Sequence, residues 1–273
     1  MCQLLGMNCN VPTDICFSFT GFRRRGGATD VHGDGWGIGF FEGKGARLFL
    51  DPQPSAHSPL AELVRSYPIR SLNVIAHIRK ATAGVVTLEN THPFQRELWG
   101  RHWLFAHNGH LPLFKPALDG NFMPVGNTDS EWIFCWLLQS LKQRFGTTPP
   151  APAALFAVLQ ELTLEFAPQG ISNYLLSNGQ VMVAHCSTRL SYIVRQAPFG
   201  EAHLVDEDVA VDFRELTTPR DRVAVITSLP LTDNEAWVDM RPGTLWMFRE
   251  GEVVEQADTA PSPVQSLESS PLR

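Results

Sequence analysis

The 273-residue chain lacks any run of about 18 consecutive apolar residues, the length that a membrane-crossing helix needs. Its N-terminus has neither the cationic stretch nor the apolar stretch of a secretory signal, so a cytoplasmic protein without membrane contact is expected. Positive charge is not in excess. The 22 Lys and Arg stand against 28 Asp and Glu, a formal net charge of −6, which argues against a nucleic-acid binder. The one basic run, Arg23-Arg24-Arg25, is followed by glycines and reads as a solvated loop. Cysteine is scarce: Cys2, Cys9, Cys16, Cys135 and Cys186 are odd in number and include no C-x-x-C spacing. That argues against a disulfide framework and against structural zinc, and nothing points to a cofactor. No internal repeat and no Pro-, Gly- or Ser-rich linker divides the chain.

What is present is a hydrophobic fraction of 44%, ample for one large core. A single domain over 1–256 is expected, followed by a polar tail over 257–273 that contains three prolines. Short β-type runs appear at 3–7, 37–42, 46–50, 72–78 and 103–107, then at 174–176, 181–185, 223–227 and 245–248. Helical patterns occupy 59–66, 130–141 and 152–165. The middle helix is apolar nearly all round, as a buried helix should be, and either Thr128 or Asp129 can cap it. Strands precede, separate and follow the helices, which fits a helix-covered, mainly antiparallel sheet system (α+β) better than a regular βαβ alternation.

Four elements carry chemistry. Cys2 follows the initiator methionine, and removal of Met1 would leave it a free α-amino group. That amine, with a reference pKa of roughly 7.7–8.0, can take the proton of a thiol at about 8.5 within one residue. The apolar strand 73–78 ends in Arg79 and then Thr82; Arg79 offers either a structural ion pair or a planar fork for a carboxylate. A second apolar strand ends in Asn108-Gly109, which reads as a hairpin turn or as an oxyanion hole built from the Asn108 amide and the Gly109 N–H. Asp129 can cap a helix or hold an ammonium group. The glycine-rich string HGDGWGIGF around Gly33, Gly35, Gly37 and Gly39 has no helix pattern after it, so a dinucleotide-binding loop is rejected. His77 and His107 lie on apolar strands and read as satisfied core histidines.

In order and content, Cys2, HGDGWG, AHIRKAT, the THPF of 91–94, AHNG and NTDSE resemble the class II glutamine amidotransferases. The resemblance covers at least residues 2–131 and continues more weakly to about residue 250. It implies the four-layer αββα sandwich of the N-terminal-nucleophile hydrolases. It implies Cys2 as nucleophile with its own α-amino group as base, Asn108 and Gly109 as oxyanion hole, Arg79 and Thr82 on the α-carboxylate of glutamine, and Asp129 on its α-ammonium. His92 resembles a position that shapes the pocket wall. Lys80 and Ala83 stand where the synthase members have Trp and His, and the His32-Gly33-Asp34 loop is one residue shorter than its counterpart. About 140 residues follow position 131, most of them needed to finish the sandwich, so the chain is similar to the small stand-alone subgroup without a synthase domain. The expected activity is hydrolysis of glutamine or a γ-glutamyl compound, a small-molecule substrate. The alternatives are a glutaminase subunit serving a separate acceptor-domain partner and a non-catalytic glutamine sensor.

Overall fold

The computed structural model describes residues 2–81 and 85–260. Met1, Thr82, Ala83 and positions 261–273 of the expected tail lie outside the described residues. The first half runs β1 (Gln3–Asp14), α1 (Cys16–Arg24), β2 (Trp36–Glu42), β3 (Gly45–Asp51), α2 (Pro59–Ser66), β4 (Arg70–Ile78), β5 (Phe94–Leu98), β6 (Arg101–His110) and α3 (Asp129–Phe145). The second runs α4 (Pro152–Phe166), β7 (Ile171–Ser177), β8 (Met182–Cys186), β9 (Ser191–Gln196), β10 (Glu201–His203), β11 (Ala210–Asp212), β12 (Arg222–Thr227), β13 (Val238–Asp239), β14 (Thr244–Arg249) and β15 (Glu252–Asp258). β15 continues past position 256, and Thr259 beyond it is buried, so the chain stays packed a few residues into the expected tail.

Two antiparallel sheets form the centre, one ordered β13-β9-β12-β1-β4-β2-β3 and the other β15-β14-β8-β7-β6-β5. Side chains alternate along a strand, and this alternation builds the layers. On β1, Leu4 joins Ile75, Leu104, Leu175 and Ile226 in the apolar seam between the sheets, while Leu5 faces the other way among Phe19, Phe22, Ala61 and Val64 of α1 and α2. On β6, Leu104 and Ala106 face the seam, whereas Trp103 and Phe105 pack under Phe134, Leu138, Leu159 and Phe166 of α3 and α4. The result is the four-layer αββα sandwich. α3 is buried on most sides, starts where the Thr128 hydroxyl accepts the Glu131 N–H at 3.2 Å, and ends at Gly146 with φ 63°.

Two glycines of β2 let the segment around β5 and β6 come close. A Cβ at Gly37 would lie 2.3 Å from the His92 carbonyl oxygen, and one at Gly39 would lie 2.7 Å from Leu104 Cδ1. The glycine-rich string is thus a packing surface.

Several histidines are sealed inside. His77 of β4 stacks on His92 with ring centroids 4.3 Å apart, and among the described residues neither ring of this pair meets a well-aligned hydrogen-bond partner, so His77 is buried but not satisfied as expected. Burial pushes His77 down to about 3 and His185, whose ring contacts Thr259 Oγ1 at 2.8 Å, down to about 4. The fold therefore keeps both neutral. As pH falls below about 6.5 the unfolded chain takes up protons that the folded chain refuses, so stability falls until about pH 3 to 4. Denaturant midpoints measured from pH 7.5 to 4.5 should decline, each such histidine contributing up to about 1.4 kcal/mol per pH unit. A His77→Leu variant should show a shallower decline.

Candidate active site

β1 lies in the middle of its sheet, between β4 and β12. Its start is pinned to the loop after β12, because Leu4 N–H donates to Ser228 Oγ at 3.0 Å and Ser228 N–H donates to the Leu4 carbonyl at 3.1 Å. This holds Cys2 at the sheet's end. Its half-buried Sγ accepts the Lys80 N–H at 3.2 Å and lies 3.3 Å from the Lys80 carbonyl oxygen, to which the thiol can donate. Burial pushes the Cys2 thiol up, while the Lys80 N–H and the Arg79 guanidinium pull the other way. The upward effect wins, so the thiol needs a base to become a nucleophile.

Residues 79–81 are held in turn by the loop before β2. Arg79 N–H donates to Gly35 O at 2.8 Å, Asp34 N–H to Arg79 O at 3.2 Å, and Ala81 N–H to Asp34 Oδ2 at 2.8 Å. No sequence pattern announced the part of Asp34 or of the Lys80 backbone. The Arg79 side chain is buried, and its Nη1 donates to Val85 O at 3.0 Å. Asn90 donates to the same carbonyl at 3.1 Å and exchanges two 3.0 Å bonds with Asn127, so the region around Arg79 is tied to the loop leading into α3.

Asn108 and Gly109 do not form a hairpin turn. Both lie inside β6, opposite Asn173 and Ser172 of β7, and neither has a positive φ. Glycine is required at 109 for packing, since a Cβ there would lie 1.9 Å from the Ile171 carbonyl oxygen. Asn108 Nδ2 donates to the Cys2 carbonyl, which brings the amide to the nucleophile and leaves its second N–H for another acceptor.

Asp129 is the first residue of α3 and does not supply the cap, a role taken by Thr128. Its Oδ2 accepts the Leu111 N–H at 2.7 Å and lies 3.5 Å from His110 Nδ1. With His110, Asn127 and Trp132 it lines a cavity of about 400 Å³, whereas Cys2, Lys80 and Asn108 line another of about 260 Å³. The structure thus joins Cys2, Asn108 and the end of β4, and sets Asp129 in a neighbouring cavity. Asn108 and His110 are two residues apart on β6, about 7 Å at the usual rise. Glu131 fixes this arrangement: its buried carboxylate accepts the Val125 N–H at 3.0 Å, the Gly126 N–H at 2.7 Å and Arg96 Nη2 at 2.5 Å.

An αββα sandwich with a thiol at the end of one sheet and a facing asparagine amide on the other is the architecture of the N-terminal-nucleophile hydrolases. Within that class, the chain belongs to the class II glutamine amidotransferase family, whose sequence pattern it matches over residues 1–271. YafJ of Escherichia coli (strain K12), assigned to the glutamine amidotransferases by name, is 57% identical over 254 residues, 93% of this chain and all of that protein. A crystal structure from Pseudomonas aeruginosa, described as that of a predicted glutamine amidotransferase, is 45% identical, with a TM-score of 0.75 over 93% of this chain and 99% of that one. A shorter match, 39% identity over 102 residues covering 35% of this chain and 36% of the other, is to the γ-glutamyl-hercynylcysteine sulfoxide hydrolase of Mycobacterium tuberculosis.

Truncating Glu131 to Ala would remove the buried carboxylate that accepts from Arg96 and from the part-buried Val125 and Gly126 N–H groups. Removing the acceptor from such a partly buried set typically costs about 1–3 kcal/mol. Urea unfolding of Glu131→Ala should register a loss of that order, and a loss under about 1 kcal/mol would show that the carboxylate does not hold the loop.

Proposed function

We propose that the protein is an amidase that opens the side-chain amide of glutamine or of a γ-glutamyl compound through a γ-glutamyl thioester on Cys2. The observation that carries this reading is that Cys2 and Asn108 line one cavity, with the Asn108 amide bonded to the Cys2 carbonyl. With Met1 removed, the Cys2 α-amino group takes the thiol proton and Sγ attacks the amide carbon. The oxygen that becomes negative is held by the Asn108 amide and the Gly109 N–H. The C–N bond breaks, the leaving nitrogen takes the proton from the α-ammonium, and water then cleaves the thioester to give glutamate. The raised thiol pKa supports a mechanism in which the base is essential.

The glutamyl head group is assigned to Arg79 and Asp129, with Thr82 keeping the carboxylate contact that the family resemblance implies. The connection of the two cavities through Asn108 and His110 of one strand supports the assignment. The match to a γ-glutamyl hydrolase over 102 residues favours an amine larger than ammonia as one leaving group.

The decisive measurement is glutamate release from glutamine and from a panel of γ-glutamyl amines and peptides, paired with intact-mass analysis of the N-terminus. Active protein should lack Met1, and Cys2→Ala or Cys2→Ser should lose most turnover; full activity in protein that uniformly retains Met1 would sink the mechanism. Release from free glutamine alone would favour the glutaminase-subunit reading.

Steady-state kinetics separate the remaining roles. Arg79→Ala and Asp129→Ala should act mainly on KM, because the head group carries the same charge in ground and transition states. Asn108→Ala should lower kcat by about 10²–10³, as loss of an oxyanion donor typically does. A near-normal kcat in that variant would show the oxyanion assignment to be wrong.

A further inference from the structure

The sequence pattern marks no residues for the leaving-group side of the scissile bond, but the fold brings some there. Besides Cys2 and Asn108, the same cavity is lined by Lys80 and Arg189, which are 109 positions apart in the chain. Neither cation has a carboxylate partner among the described residues. Asp30, the one acid among the described residues that line the cavity, is already engaged, 2.9 Å from His32 Nδ1, 3.5 Å from Gln3 Nε2, and accepting the Val31 N–H at 2.7 Å. The cavity therefore keeps an unspent positive charge beside the nucleophile.

The position of Arg189 is built, not incidental. Buried Asn173 sits opposite Asn108 in the β6–β7 pair, and its Oδ1 accepts the N–H groups of Ser187 at 3.0 Å, Thr188 at 3.0 Å and Arg189 at 3.3 Å. Its Nδ2 donates to Thr188 Oγ1 at 2.8 Å. One side chain thus locks the loop that carries Arg189 to the strand that carries Asn108. If the glutamyl chain runs from Cys2 toward Asp129, the leaving nitrogen faces the other way, into the cavity of Lys80 and Arg189.

We propose that Lys80 and Arg189 form a subsite for a carboxylate on the leaving amine, which makes the preferred substrates γ-glutamyl amino acids or short γ-glutamyl peptides. This rests on the γ-glutamyl reading given above. The arrangement suits an anion because a guanidinium and an ammonium can share one carboxylate, whereas a neutral amine gains nothing from either solvated cation.

The test compares γ-glutamylglycine with γ-glutamylmethylamide, which share the scissile bond and differ in the carboxylate. Processed wild-type protein should favour the glycine compound in kcat/KM by roughly tenfold at low salt, and less at 0.5 M NaCl, because both cations are partly solvated. Arg189→Gln should bring the two substrates to within about twofold while leaving the methylamide rate unchanged. Equal wild-type rates, or a preference that survives Arg189→Gln, would overturn the subsite. Calorimetric binding of both compounds to Cys2→Ala separates the two ideas. Tighter, Arg189-dependent binding of γ-glutamylglycine without turnover by the wild type would retain the subsite and reject the hydrolase reading; equal binding would reject the subsite.

Discussion

The contact on which the rest of the site depends is the hydrogen bond from the Asn108 amide to the Cys2 carbonyl, because it crosses from one sheet to the other. Such a bond tolerates little error in how the sheets are stacked. Their separation is set by the seam of Leu4, Ile75, Leu104, Leu175 and Ile226, and by glycines at points where a methyl group would collide. Fully burying each large apolar side chain is worth about 1.5–3 kcal/mol, so the seam supplies ample energy to fix the spacing. The polar geometry at its edge follows from apolar packing a few residues away.

Around that contact the protein uses backbone more than side chain. The Cys2 sulfur is held by the amide and carbonyl of Lys80, the segment 79–81 by Gly35 and Asp34, and the start of β1 by Ser228. Backbone donors cannot swing away as flexible side chains can, which lets a half-buried thiol keep one orientation at little further entropic cost. Ionic groups do the longer-range fastening. Glu131 with Arg96 secures the approach to α3, and buried Arg79 reaches the Val85 carbonyl. Breaking such pairs costs far more than their net contribution, and this asymmetry makes them registers of position.

Much of the strand and helix content was legible because it rests on local periodicity. The pattern at 59–66 coincides with α2, and those at 130–141 and 152–165 fall within α3 and α4. α1 was not legible: CFSFTGFRR contains Ser18, Thr20 and Gly21, poor helix formers, and the helix exists because Phe19 and Phe22 are buried against α2 and the first sheet. β5 and β9 are short strands of mixed polarity, such as FQREL and SYIVRQ, which become strands only when β6 and β12 offer ladder partners. Asn108-Gly109 shows the limit of local signals. The same dipeptide suits a hairpin turn, yet β7 keeps it extended because Gly109 must admit the Ile171 carbonyl.

The sequence by itself determined the chemical inventory and the family: a cysteine behind the initiator methionine, an arginine after one apolar strand, an asparagine in another, and an aspartate at a helix start. These are statements about residue type and order, which one dimension can carry. Only the tertiary structure decided which groups share a cavity. Lys80 and Arg189 meet Cys2 although 109 positions separate them, Asp34 clamps a segment 47 positions away, and Asp129 stands in a separate cavity from the thiol. Such neighbours are created by sheet pairing and by the stacking of two sheets, and contacts between distant segments leave no periodicity in the chain for a local reading to detect.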